Sequence, residues 1–372
     1  MADTENNKNS NSPALRFPGF TEPWKLMPLS QIAPLQRGFD LPTDKVFYGE
    51  FPVVYSNGIL RNHNEYKCVA PGVITGRSGT IGKFTFISSG FYWPHNTSLW
   101  VTDFCDNYPL FIYYLYQSIN VEQFSTGSGV PTLNRNDVHR YKTSIPDYEE
   151  QEKIAKFLQL LDERIATQRR LIEDLEKLKS SIVDRIFSDI DGEVVKFRDL
   201  LEISTQRNDG KAEYRILSAS QEFGMIERES LDIDIKAEAK SVKTYKRVLP
   251  GDYVLHLRSF QGGLAFAEIE GICSPAYTIL RPNNRLEYGY LKEYFNSAKF
   301  IKSLVLVTYG IRDGRSINVD EFLDMVITIH SKDKQAEIVK SLSVLSDKLR
   351  LETKILYKYW QQRTYLLNQL FI

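Results

Sequence analysis

Two stretches of the chain carry the same pattern of hydrophobic and polar positions. From Asp147 to Phe187, apolar residues recur at alternating steps of three and four: Leu158, Leu161, Ile165, Ile172, Leu175, Ile182 and Ile186. From Ser331 to Phe371 the same spacing gives Leu342, Leu345, Leu349, Leu356, Tyr359, Leu366 and Leu370, at a constant offset of 184 residues. Even the polar interruptions recur, Gln168 with Glu352 and Lys179 with Arg363. A stripe of this period predicts two long helices that share a seam as an antiparallel coiled coil. At ~1.5 Å per residue, each spans on the order of 60 Å. Asp147 with Glu150 three residues on forms a capping-box pattern at the first start. At the second start Ser331 is the N-cap candidate, and Gln151 is matched by Gln335.

Outside the helices the period changes. Pro13 to Pro146 is rich in β-branched and aromatic residues and is often broken by Gly, Pro and Asn, which predicts short strands with tight turns. One helix is predicted from Tyr108 to Asn120, where apolar residues crowd around the turn. A second domain of the same kind runs from Asp191 to His330. Its frame repeats the first: Pro71-Gly72 is answered by Pro250-Gly251, and Leu133-Asn134 by Ile317-Asn318, while the interiors diverge. The expected division is a disordered leader (1–12), a first α+β domain (13–146), a spacer helix (147–190), a second α+β domain (191–330) and a second spacer helix (331–372). The fold class is α+β, two globular domains in pseudo-two-fold repeat separated by the two helices. Shared framing with unlike interiors suggests modules doing one job on different targets. Paired readers of that symmetry suit double-stranded DNA.

Composition narrows this less than the pattern does. The 372 residues hold 47 basic and 47 acidic side chains, so no net charge advertises nucleic acid; a local basic groove remains compatible with neutrality. Cys68, Cys105 and Cys273 are scattered, as reduced thiols of a cytoplasmic protein would be. The five histidines (His63, His95, His139, His256, His330) lack metal-ligand spacing. No apolar run reaches the ~18 residues of a membrane span.

No catalytic constellation is visible: there is no GxGxxG, P-loop, GxSxG, HExxH or Asx-Pro-Pro-aromatic sequence. Gly76 to Gly82 imitates a phosphate loop but lacks the terminal Lys-Ser/Thr, and a strand-like run follows it where a helix is needed. That segment instead offers Arg77, Ser78, Thr80 and Lys83 on a glycine-rich hairpin. Arg258 and Ser259 stand at the matching place in the second domain. A further loop carries Ser128 and Thr132, echoed by Tyr309, Arg312 and Arg315. Arginine reads purine edges, and Ser, Thr and backbone amides grip phosphates, which makes these residues DNA-binding candidates. Read without a ligand, the same loops are ordinary polar turns. The other function class left open is a non-catalytic two-domain scaffold that docks proteins through its helices and reads no DNA.

Taken together, these residues resemble a family. Arg16-Phe-Pro-Gly-Phe with Trp24-Lys, the string from Pro71 to Lys83, Leu133-Asn134, and Ile145 to Leu158 are similar to the specificity subunits of type I restriction-modification systems. In the second half, Leu249-Pro-Gly-Asp-Tyr-Val and Ser274-Pro-Ala-Tyr-Thr-Ile-Leu-Arg-Pro resemble the same family's target-recognition domain. His330 to Gln335 departs from the pattern, lacking the Pro and Glu-Glu-Gln of Pro146 to Gln151. The resemblance implies that each domain recognises half of a split, asymmetric DNA site. It implies that the helices fix the gap and dock two methyltransferase subunits, with restriction subunits joining them. The chain itself would be no enzyme and would hold no cofactor; S-adenosylmethionine, ATP and Mg belong to the partners.

Overall fold

The computed structural model describes residues 12–127, 129–188, 191–208, 210, 214–220, 223–230, 242–256, 259–309 and 316–372. The chain divides into two compact units, Met1–Arg169 with Lys354–Ile372, and Arg170–Thr353. The division cuts through both long helices, so each unit holds a globular domain and half of each helix. The expected leader, apart from Ser12, lies outside the described residues.

The long helices are Tyr148–Ile186 and Lys332–Leu370, each of 39 residues. Both boundaries repeat at the offset of 184, and the described residues include no helix long and apolar enough to cross a membrane. In the first unit Ile154, Leu158, Leu161 and Ile165 share a core with Leu356, Tyr359, Leu366, Leu370 and Phe371. The start of one helix therefore meets the end of the other, the antiparallel arrangement. In the second unit Ile182, Val183, Ile186 and Phe187 share a core with Ile338, Val339 and Leu342. These helix ends also pack on their domains: Phe111, Tyr114 and Leu115 join the first core, Phe197, Tyr290 and Phe295 the second. Mid-helix seam residues Ile172, Leu175, Leu345 and Leu349 are only half-buried and belong to neither core.

The first helix start refines the expected cap. Asp147 does cap it, its Oδ1 accepting Glu150 N at 2.9 Å. The Glu150 carboxylate turns away from the helix start, accepting Arg16 Nε at 2.8 Å and Nη2 at 2.7 Å, and Trp24 Nε1 at 3.2 Å. Glu150 is buried, so the bidentate arginine is what makes a charge there tolerable. The segment before the first strand is thereby pinned to the helix.

In the first domain, Leu35–Arg37, Ser98–Val101, Gly72–Gly76 and Phe84–Ile87 lie side by side in that order, all antiparallel. Gly72–Gly76 is buried along its whole length because it faces two cores. Val73 points to the helix Pro109–Ser118 and Ile74 to Val54 and Tyr92, the period-two alternation of a strand. A second sheet runs Gly58–His63, Phe51–Tyr55, Phe91–Pro94, Cys68–Val69.

The second domain keeps the first sheet's order with Leu201–Ser204, Thr278–Pro282, Tyr253–Leu255 and Ala265–Phe266. The pair Lys25–Pro28 with Lys142–Ile145 has its counterpart in Glu193–Lys196 with Val326–Ile329. The short helices Arg135–Arg140 and Val319–Asp324 are capped by the matched Asn134 and Asn318, whose side chains accept backbone N–H groups. Among the described residues, two two-stranded ladders stand in place of the second four-stranded sheet, Leu217–Ser220 with Gly224–Glu227 and Lys246–Val248 with Gly271–Cys273.

Buried glutamines join each long helix to its domain. Gln151 accepts Tyr108 N at 2.9 Å and donates to Asn107 Oδ1 at 2.8 Å. Gln335 accepts Glu287 N at 2.8 Å and donates to Arg285 O at 3.1 Å. The repeat at these positions marks one device used twice.

Candidate nucleic-acid interface

At the end of strand Gly72–Gly76 the chain turns so tightly that a Cβ on Gly76 would lie 1.7 Å from Thr80 O. Only glycine fits, and the turn brings three loops together through their backbones. Arg77 N and Ser78 N donate to Thr97 O at 2.8 and 3.3 Å, Leu133 N donates to Arg77 O at 2.7 Å, and Gly79 N donates to Pro131 O at 3.1 Å. Ser78 and Thr132 form an antiparallel bridge. Arg77, Ser78 and Thr132, far apart in sequence, therefore occupy one corner. Thr80 and Lys83 are exposed on it, while Arg77 and Ser78 are half-buried.

The corner also holds residues that the sequence reading passed over. Lys83 Nζ donates to Asn57 O at 2.9 Å, in the turn before Gly58–His63. Arg77 Nη1 donates to Asn96 O at 3.4 Å, a long contact that leaves most of the guanidinium's donors available. Asn96 Nδ2 donates to the Asp40 carboxylate, which also pairs with Arg37 at 3.1 Å. Beneath them His95 Nε2 donates to Leu41 O at 3.3 Å, and Nδ1 accepts from Thr97 Oγ1 at 2.9 Å. Burial lowers the His95 pKa, with Leu41 O and Asp40 opposing it, so the ring serves as a neutral brace. Asn57-Gly58 and the His95-Asn96-Thr97 turn, each set between apolar strands, were the available signal. The corner thus presents Arg37, Arg77 and Lys83 with several hydroxyls and amides on a rigid frame, a donor-rich surface suited to phosphates and base edges.

In the second unit the matching connection is different. Between Tyr253–Leu255 and Ala265–Phe266, the described residues Ser259–Gly262 form one helical turn, so the expected match to the first hairpin fails in shape. Ser259 is fully buried; its Oγ accepts His256 N at 2.9 Å. This corrects its reading as a contact residue, since the hydroxyl closes the loop and has no surface to offer. Tyr309, on the ladder Thr308–Tyr309 with Ser316–Ile317, is exposed and donates its hydroxyl to Glu321 Oε2 at 2.8 Å. Ser128, Arg258, Arg312 and Arg315 lie outside the described residues. Among the described residues, no group of three His, Cys, Asp or Glu side chains is placed to hold a metal ion.

Residues 21–177 match the family model of the type I restriction modification DNA specificity domain. Over that stretch, less than half of its length, the chain is similar to the type I specificity family. A Methanocaldococcus jannaschii protein named as a type I restriction enzyme specificity subunit is 30% identical over 83 residues, 22% of this chain and 20% of that one. The chain thus spans about a fifth of that relative's length. The crystal structure of an S subunit from M. genitalium matches over 97% of this chain and 99% of that one, with TM-score 0.62 and 15% identity. A chain solved in work on complex assembly and conformational transition of the type I R-M system matches over 93% and 96%, with TM-score 0.54 and 17% identity. At such identities the family's fold is what these structures share with this chain. Specificity subunits as a family are non-catalytic.

Proposed function

We propose that this chain is the DNA-reading subunit of a type I restriction-modification complex, with each unit reading one half of a split, asymmetric site. The observation that carries this reading is the pairing of one sheet order, found in both units, with unlike corners at the same strand end. A constant frame with exchangeable corners is what two readers of different sequences require. Side chains at the first corner, led by Arg77 and Lys83, contact one half-site. The ladder carrying Tyr309, with Arg258, Arg312 and Arg315, serves the other.

The antiparallel helices act as the ruler between half-sites and as the dock for two methyltransferase subunits, which restriction subunits join. Adenine methylation and ATP-dependent cleavage, with S-adenosylmethionine, ATP and Mg, belong to those partners in the cytoplasm. A neutral chain then draws part of its DNA affinity from the partners' charge, and binding by the complex weakens as salt rises. Sequencing of methylated adenines in a host with and without the gene tests this. One bipartite motif is expected to vanish with the gene; an unchanged methylation pattern contradicts the reading. Inserting one heptad before Leu171 is expected to lengthen the gap while leaving both half-sites unaltered.

A further inference from the structure

A cation interrupts the apolar stripe at the same place in both long helices, at Lys179 and at Arg363. A charge in such a stripe is tolerated only with a partner held close. In the first unit Arg363 donates to Asp162 Oδ1 at 2.5 Å and to Gln117 Oε1 at 2.7 Å. Tyr114 donates its hydroxyl to Asp162 Oδ2 at 2.9 Å. Arg363 is only 13% exposed. The node joins three elements: the second long helix, the first long helix and the domain helix Pro109–Ser118.

In the second unit Lys179 pairs with Glu293 at 2.7 Å, the side chains 21% and 17% exposed. Ser346 Oγ donates to the same carboxylate at 3.4 Å. Again three elements meet, now the first long helix, the second and the domain helix Lys292–Phe295. Ser346 stands at the repeat position of Asp162, as Lys179 does of Arg363.

The two nodes are equivalent in position and opposite in charge layout. In the first, the helix pair supplies both cation and anion, and the domain offers neutral Tyr114 and Gln117. In the second, the helix pair supplies the cation and the domain supplies the anion. A domain like the second, placed on the first seat, would bring a carboxylate against Asp162. A domain like the first, placed on the second seat, would leave Lys179 without one. We infer that Arg363 and Lys179 are positioning residues that seat each recognition domain on its own end of the helix pair and keep the seats from accepting each other's domain. The consequence for half-site reading rests on the function proposed above; the seating itself does not.

Charge reversal with compensation tests this in the full chain assembled with its methyltransferase. Lys179→Glu is expected to relax base preference in the second half-site by about tenfold and to leave the first unchanged, with Glu293→Lys added in the same chain restoring it. Arg363→Glu is expected to relax only the first half-site, with Asp162→Arg restoring it. Amide hydrogen exchange over Pro109–Ser118 and over Lys292–Phe295 reads the seats without DNA, and each single reversal must speed exchange in its own unit only. Equal effects in both units, or a reversed pair that fails to restore protection in a chain of unchanged secondary structure, would overturn the seats. A wild-type complex with no bipartite motif but the expected exchange pattern would sink the DNA reading and leave the seats standing.

Discussion

The ends of strands Gly72–Gly76 and Tyr253–Leu255 occupy the same place in the same four-stranded order, yet they are finished differently. The first is an open glycine turn laced to two other loops by backbone hydrogen bonds, with Arg77 and Lys83 at its surface. The second closes into a helical turn whose Ser259 is buried as an internal cap. Below these ends the units agree in detail, from the capping Asn134 and Asn318 to the buried Gln151 and Gln335. The shared frame is thus constant where backbone groups must be satisfied, while the strand ends above it differ.

The constancy should show first as equal costs in the shared frame. Leu158→Ala and Leu342→Ala remove matched buried side chains, and each is expected to cost about 2–5 kcal/mol in urea unfolding. A large cost at one position and none at the other would break the equivalence of the two units.

The next test sharpens a difference. Arg16→Met strands the buried Glu150 carboxylate, with an expected loss of about 3 kcal/mol. At the repeat position of Glu150 stands Lys334, which pairs with Glu337 at the surface, so Lys334→Met should leave the unfolding midpoint unchanged. Gln151→Leu and Gln335→Leu leave Tyr108 N and Glu287 N respectively without their acceptor, and each is expected to cost about 1–3 kcal/mol. Unfolding curves that separate these two variants widely would mean the glutamines are not one device.

The smallest expected effect is a pH dependence. His139 Nε2 accepts Leu35 N at 2.8 Å, and its pKa is lowered by burial and by Arg135; its repeat position holds Leu323. In the unfolded chain the imidazole protonates near its ordinary value of about 6.5. Below that pH the unfolded state binds a proton that the folded ring resists, so stability falls until the depressed folded pKa is passed. His95 adds to the same slope in the first unit, and His330, lowered by burial and Lys334, acts in the second. Hydrogen exchange at pH 5.5 against pH 7.5 should show the His139→Leu chain losing less first-unit protection than wild type. An identical loss would show that His139 does not contribute.

The long helices could be read from the pattern because packing constrains every third or fourth side chain, and both ends repeat at one offset. The role of Lys179 and Arg363 could not, since it depends on Glu293, Asp162 and Gln117 reaching them from other elements. Sheet order was hidden for a similar reason: Gly72–Gly76 faces two cores, so its apolar run shows no alternation, and most strands are too short to carry a period. At the first corner, Arg77, Ser78 and Thr132 were legible from clustered Gly and Ser. Asn57, Asn96 and Thr97 arrive from turns whose nearness only the sheet creates. Ser259 was misread because sequence does not separate a serine that caps its own loop from one that faces outward.

Division of labour between the two corners is the central claim, and Arg77→Ala tests it most directly. Among the described residues the side chain makes one long hydrogen bond, so its loss should leave the fold intact. In the assembled complex, methylated-site sequencing is expected to show one half of the motif weakened by roughly 1–3 kcal/mol of discrimination, with the other half untouched. Equal weakening of both halves, or an unchanged motif, would contradict it.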